Sequence, residues 1–530
     1  MSVMKEKTRL FSLLLFLFSV INILYAQEKD LQILSTYSPF ELHRFTLDNG
    51  LRVWYQPRSD SGAILLALIV QAGSRNENSG NNGISHFVEH MIFNGTERWD
   101  EKEINDIINK IGGRYNGYTH KDKTAFFVEA SSEHFNTAID WLSEIVFHST
   151  FPEDKIEKER QIIYQEKGGK DLLIYKIFDT IGFKRLHELI VNFVYPNSSL
   201  AFNIIGEDKS IETFNRDILL EYYRKFYISN NMILIVIGNI NKKKVYREVN
   251  KYFGNISTGE SPQVPQPPSM PEDGPFEYKD KNHSIFTDNS DIYMGFRSAG
   301  FNNSDYWKLE VLKEYIQIIS NDELRVKRGL VYHIYIDNIA LSNAAYFNIY
   351  TESKLSNEEI ILDFINDTLK NACEGQIDED YLIHAKSALS GRLTLSLEYN
   401  YYRADWLSNW ALVLDRHEPL PDYKAEIDNV TSEELIRVVK KYYTPESTFT
   451  VIRTPFQYRK LFMVILFPAI IAIMIIALMT SRIYDNYLKS QVLSIKKTFE
   501  HQENKNKNND KCILMRTELN ASLLKILSKK

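Results

Sequence analysis

Apolar positions along this chain follow three different rhythms. Two runs lack charge altogether, Leu10 to Ala26 and Leu461 to Thr480. The second is twenty residues long and flanked by Arg459, Lys460 and Arg482. At about 1.5 Å per residue it matches the hydrocarbon thickness of a bilayer. A buried core helix of that length carries some polar positions, so 461–480 reads as a transmembrane helix. The first run follows Lys5, Lys7 and Arg9 and ends at Ala26. Basic, then apolar, then small is the order of a secretory signal, and 1–26 reads as a signal peptide or signal anchor.

Between these runs the pattern switches between strand and helix periods. Phe45 to Leu47 and Leu51 to Tyr55 are β-rich and meet around Asn49-Gly50, a hairpin signal. Ala63 to Ala72 reads as a buried strand, Thr124 to Ala130 and Met232 to Gly238 as further strands, and helical spacing begins at Ile84. Six prolines between Pro262 and Pro275 mark a linker over 254–275. Beyond it the order repeats loosely: a strand at Ile292 to Phe296, a loop, then a helix from Tyr306 to Ile319. The expected fold is α+β, with two tandem homologous α/β-roll domains at 27–253 and 276–456, mixed or antiparallel sheets packed with helices, and a C-terminal transmembrane helix.

Composition narrows the chemistry. Of 530 residues 44% are hydrophobic and 25% charged, which fits a folded protein. Cys373 and Cys512 are the only cysteines, too few for a disulfide framework or a cysteine-based zinc site. A metal would have to be held by histidines and carboxylates. The net charge is −6, yet 481–530 holds eleven Lys and Arg against five Asp and Glu. A basic tail beyond an apolar span places the tail in the cytoplasm and the acidic body outside, periplasmic or extracellular. The tail reads as solvated and mostly disordered, with no nucleic-acid partner expected.

The chemistry concentrates in Ile84-Ser85-His86-Phe87-Val88-Glu89-His90-Met91-Ile92. Ile84, Phe87, Val88, Met91 and Ile92 define one buried helix face. His86 and His90, four apart, share another, as chelation from a helix requires. Glu89 beside them can take a proton from an attacking water. A second helix, Pro152 to Glu166, places Ile156, Glu159, Ile163 and Glu166 on one face. Two carboxylates between isoleucines call for a cationic neighbour.

The inverted motif His86-Phe87-Val88-Glu89-His90 resembles that of the pitrilysin or insulinase-type zinc metallopeptidases, and among them the two-domain, processing-peptidase-like members. In that family the third ligand is a glutamate some seventy-six residues beyond the second histidine, which is the position of Glu166. A glutamate seven residues earlier, here Glu159, supports a histidine. The resemblance implies one Zn2+ per chain on His86, His90 and Glu166, and Glu89 as general base. It implies that peptide pairs with the strand segment around Asn116, Gly117 and Thr119. Arg325 and Tyr332 match an Arg/Tyr pair that contacts the substrate carbonyl and the oxyanion. Gly117 stands where alanine is usual, and Lys167 where an apolar residue is commoner. The family builds its site in a chamber of four domains, so this two-domain chain is expected to pair with itself or with a related non-catalytic chain at a membrane. The expected function is a zinc endopeptidase acting on peptides or unfolded segments. The alternative is a catalytically silent subunit of a membrane complex.

Overall fold

The computed structural model describes residues 41–168, 186–269, 274–280, 287–414, 418–456 and 462–505. The signal segment 1–26, part of the linker and the tail beyond 505 lie outside these residues. Residues up to Asp280 together with Asn289–Arg453 form one compact unit, and the C-terminal helix belongs to a second.

Within the first unit, alternation of apolar and polar positions gives two sheets. The first holds β1 (His43–Thr46), β2 (Arg52–Pro57), β3 (Ala63–Val70), β4 (Arg114–Thr119), β5 (Thr124–Ser131) and β6 (Met232–Gly238), in the order β1-β2-β6-β3-β5-β4. The second holds β7 (Phe276–Asp280), β8 (Asn289–Ser298), β9 (Ile334–Ala340), β10 (Ala345–Lys354) and β11 (Thr448–Arg453), in the order β7-β11-β8-β10-β9. Leaving out β1, the two orders coincide strand for strand. The one parallel pair in each, β2 with β6 and β7 with β11, falls at the same place. The duplication that the sequence shows only loosely is explicit in the topology, and the fold is the expected two-domain α+β arrangement. The predicted hairpin is β1–β2, with Gly50 at φ +83° in its turn.

β3 and β6 are apolar at nearly every position because both of their faces are buried. One face, with Leu66, Leu68, Leu234 and Val236, packs on helices of the first half. The other, with Trp54, Leu65, Ala67, Ile69, Ile233, Ile235 and Ile237, shares a core with the second half, where Leu407 and Ala411 lie on the helix Asn400–Val413. Polar ties accompany this packing. Lys123 Nζ donates to Asp405 (2.8 Å) and Asn409 (2.7 Å), and Arg52 to the Ala411 carbonyl (2.9 Å). The buried Arg75 pairs with Asp122 and reaches Ser342, Asn343 and the carbonyl of Pro265 in the linker.

In the second unit a helix spans Phe467–Lys505, preceded by a wider turn at Phe462–Leu466. The sequence reading ends the helix at Thr480 and leaves the tail disordered. The helix instead runs on through the first twenty-five tail residues, since no glycine or proline interrupts Ala469 to Lys505. Met463–Thr498 is long and apolar enough to cross a membrane, and its apolar window is not buried within the protein.

Candidate metal centre

Ile84–Ile92 is helical because Ile84, Phe87, Val88, Met91 and Ile92 all bury themselves in the first core. The chain enters this helix through Gly83 at φ +97°, where a Cβ would lie 2.6 Å from the Ile205 carbonyl oxygen, so only glycine fits. Glycine brings no capping side chain. The first amides are met instead by Glu77, which accepts from the backbone N–H of Gly83 (2.8 Å) and of Ser85 (2.9 Å). The same carboxylate accepts from Asn82 (2.9 Å) and from the Ser85 hydroxyl (2.6 Å), and Ser85 Oγ lies 2.7 Å from the Tyr222 hydroxyl. Burial pushes the Glu77 carboxyl up to about 7 despite these bonds.

The second carboxylate-bearing helix spans Glu153–Glu166, with Glu153 and Asp154 in its first turn facing the positive end of the helix dipole. Ile156, Glu159 and Ile163 are buried as the sequence requires, whereas Glu166, at the last turn, has its side chain 45% exposed. The helix stops where Gly168 takes φ +93°. Lys167, at a position where an apolar residue is commoner, is buried by an ion pair with Asp208 at 2.6 Å.

These two helices bring the expected ligands together. Glu166 Oε2 lies 3.6 Å from His86 Nε2 and 3.5 Å from His90 Nε2. The imidazole rings stand edge-on with centroids 4.7 Å apart. Glu159 Oε2 is 3.0 Å from His90 Nδ1, so the other ring nitrogen of His90 is the one turned to Glu166. Among the described residues, His86, His90 and Glu166 form the one cluster of three donors suited to a metal, within 4.8 Å of one another. Donors about 2.1 Å from a tetrahedral zinc lie about 3.4 Å apart, close to the separations found here. Two imidazoles and a carboxylate, three protein donors and no thiolate, suit catalytic rather than structural zinc.

The protonation states follow from burial and neighbours. Burial, with the charge of His90 nearby, lowers the His86 pKa to about 3, so this ring is neutral and ready to ligate. Burial also works against the charge of His90, but Glu159, Glu89 and Glu166 outweigh it and raise its pKa. Glu89 is pushed up to about 7 by burial, against the opposing pull of His90 and of the Thr119 hydroxyl.

Of the three strand residues expected to meet peptide, two touch Glu89 itself. Thr119 Oγ1 donates to Glu89 Oε2 at 3.0 Å. A Cβ on Gly117 would stand 2.8 Å from Glu89 Oε1 and 3.1 Å from the Phe93 ring. The glycine therefore lets β4 lie directly against this carboxylate. Asn116 turns its side chain back to accept from the Gly117 amide (3.0 Å). β4 is an edge strand with one side unpaired by the sheet.

Arg325 and Tyr332 sit elsewhere. Arg325 lies on a wide helical turn, Asn321–Lys327, its guanidinium 5.8 Å from the centre of the Tyr332 ring, and Tyr332 is 82% exposed. Both line a cavity of about 1000 Å³ in the second half, with His333, His384, Glu314 and Gln317, and none of the zinc cluster borders it. This cavity lies between the helices Tyr306–Ser320 and Glu379–Ser396 and β9, the topological counterparts of the two ligand helices and β4. There Gln317 bonds the backbone of β9, donating to the Ile334 carbonyl (2.8 Å) and accepting from the Ile336 amide (3.0 Å). The residue that sequence reasoning missed is Glu77. Its one sequence signal is a carboxylate seven residues ahead of a helix whose N-cap is glycine.

Comparison with known proteins agrees with this geometry. The family described as Insulinase (Peptidase family M16) matches residues 52–171, and the Peptidase M16 inactive domain matches 213–389. An uncharacterized zinc protease of Bacillus subtilis, YmxG, is 26% identical over 416 residues, covering 78% of this chain and 98% of its own. The mitochondrial-processing peptidase subunit beta of Saccharomyces cerevisiae is 26% identical over 412 residues, covering 74% and 86%. The crystal structure of a protease from Helicobacter pylori superposes with a TM-score of 0.70 at 22% identity, covering 78% of this chain and all of that one. The first family match carries all three donors, the second runs from the end of the first half across the linker into the second half, and the chain belongs to the M16, pitrilysin-like family of metallopeptidases, with zinc as its cofactor.

Proposed function

We propose that this chain is a membrane-anchored zinc endopeptidase in which His86, His90 and Glu166 hold the ion and Glu89 is the general base. The observation that carries this reading is the convergence of the three donors, with Glu89 buried on the same helix and held by Thr119. When bound, zinc polarises the scissile carbonyl and acidifies the attacking water. Glu89 Oε1, which Thr119 leaves unbonded, accepts the proton from that water and returns it to the leaving amine. Burial raises the Glu89 carboxyl, which favours its holding the proton between the two transfers. Glu159 holds His90 by Nδ1 and so keeps Nε2 on the metal side.

Peptide adds to the free edge of β4, where main-chain pairing tolerates varied sequence. Arg325 and Tyr332 lie in the second-half cavity, away from their own chain's donors, so a second copy or a related chain presents its pair to this zinc. The Met463–Thr498 helix anchors the protein, with domains 27–253 and 276–456 exported and the basic tail cytoplasmic. The match of 213–389 to the Peptidase M16 inactive domain is compatible with the silent-subunit alternative, but every donor and Glu89 are in place in the first half, which favours the enzyme.

Peptide cleavage by the detergent-solubilised protein tests the reading. Wild type is expected to cleave, to stop on chelation and to recover with zinc, while Glu89→Gln keeps its zinc and loses activity by about 10²-fold or more. Equal rates for the two would refute the mechanism. Sedimentation of the active species as a monomer would refute the shared chamber, and release of the protein by an alkaline wash would refute the anchor.

A further inference from the structure

We propose that Glu77 is a positioning residue for the metal, fixing the first turn of Ile84–Ile92 and through it the place of the His86 donor. This rests on the zinc reading above. The two histidines are held in different ways. His90 has a ring partner, Glu159 on Nδ1, that sets its orientation. Nδ1 of His86 is buried and has no hydrogen-bond partner among the described residues. The His86 ring meets His90 edge-on and Glu166 Oε2 at 3.6 Å, but no hydrogen bond on Nδ1 sets its orientation, so its position depends more on the backbone that carries it.

That backbone is held by Glu77. A helix starts with four amides lacking a partner inside the helix, and this one has no capping side chain of its own. Glu77 supplies the missing acceptor from outside, on Gly83 N–H and Ser85 N–H. Ser85, the residue next to His86, is bonded twice by the same carboxylate oxygen, through its amide and its hydroxyl. The hydroxyl continues to Tyr222 on the helix Arg216–Phe226. The carboxyl group also sits at the positive end of the helix dipole, which favours its ionised form. A turn held at amide, side chain and dipole cannot rock, and a rocking first turn would swing His86 Nε2 away from Glu166. In a glutamine at this position one oxygen gives way to an amide group, which would face donors instead of accepting from them.

The test measures zinc affinity, by competition with a chromophoric chelator, in the detergent-solubilised full chain. It uses wild type, Glu77→Gln, Ser85→Ala and Leu407→Ala, the last being a remote core truncation that loosens the protein generally. Each variant is measured at a temperature where circular dichroism shows it folded, and the absorption spectrum of the cobalt(II) form is recorded alongside. Glu77→Gln is expected to weaken zinc binding by about 10–100-fold and to shift the cobalt bands. Ser85→Ala should move both in the same direction by a smaller factor, and it carries the test should Glu77→Gln not fold. Leu407→Ala is expected to lower the melting temperature and leave both unchanged. Wild-type affinity and spectrum in Glu77→Gln, or in Ser85→Ala where that variant carries the test, would overturn the proposal, as would an equal loss in Leu407→Ala. If wild type takes up no zinc, or His86→Ala binds it as tightly, the ligand assignment itself falls and this proposal falls with it.

Discussion

At the scale of single residues, the chemistry lies in how burial treats neighbouring charges. In the metal-free protein Glu89 has a pKa of about 7, well above the value of an exposed glutamate, mainly because it is buried. A carboxyl raised on folding adds stability below its unfolded pKa and loses it as pH rises through the folded one. Metal-free Glu89→Gln is therefore expected to gain on metal-free wild type between pH 5 and 8, by on the order of 2–3 kcal/mol. Urea unfolding of the pair at both pH values checks this, and a difference that does not change with pH would show that Glu89 is not buried as described. That His86, Glu89 and His90 share one helix was legible from helical spacing, whereas Glu166 as their companion was implied by the family resemblance, and the structure brings it to them. Glu77 was not legible, since it meets two backbone amides and the side chains of Asn82 and Ser85 around the helix start, and no spacing rule connects a loop carboxylate to them. The environment of Gly117 was equally hidden. The sequence marks it only as a small departure, whereas in the structure it faces the proposed base.

At the scale of elements, the two repeats differ at their edge strands, β4 and β9. In the first half β4 meets the ligand helix through Thr119 and the bare Cα of Gly117, both against Glu89. In the second half Gln317 occupies both an outward carbonyl and an outward amide of β9, so that stretch of edge is closed to an added strand. This asymmetry leads to an expectation for Gly117. Alanine there asks the Glu89 carboxylate, 2.8 Å from the new Cβ, and the Phe93 ring, 3.1 Å from it, to yield by a few tenths of an ångström. Valine would push the carboxylate out of line and is expected to lower kcat by about 10²-fold with a nearly unchanged melting temperature. Steady-state kinetics beside thermal unfolding would separate this from a packing defect, which would lower both together. The family resemblance implies the strand at β4, whereas β9 is not read from the sequence, nor is which edge stays open, because that depends on one side-chain contact. The C-terminal helix was misjudged for another reason. Charge and polarity suggested disorder after Thr480, but helix propensity without a breaker carries the element to Lys505.

At the scale of the whole chain, the two halves are bound by one apolar face and a few buried ions. Arg75 joins the first half, the linker and the second half through Asp122, Pro265, Ser342 and Asn343. Arg75→Ala would strand the buried Asp122 carboxylate and is expected to cost about 3–5 kcal/mol. Denaturant unfolding followed by tryptophan fluorescence measures this, and a cost under about 1 kcal/mol would mean that the ion pair is dispensable. The sequence reading divides the chain into two repeats but hides how closely they join, because a strand buried on both faces reads the same whichever partner covers it. That second covering has a bearing on biosynthesis. When β6 is complete at Gly238, the face formed by Trp54, Leu65, Ile69, Ile233 and Ile235 still lacks the helix that begins at Asn400. At about 5–20 residues per second, roughly 160 more residues keep that surface bare for on the order of ten to thirty seconds. The newly made first half is thus a greasy intermediate that needs chaperoning, and ribosomes stalled in this interval should yield chains that aggregate until the helix at 400–413 is supplied.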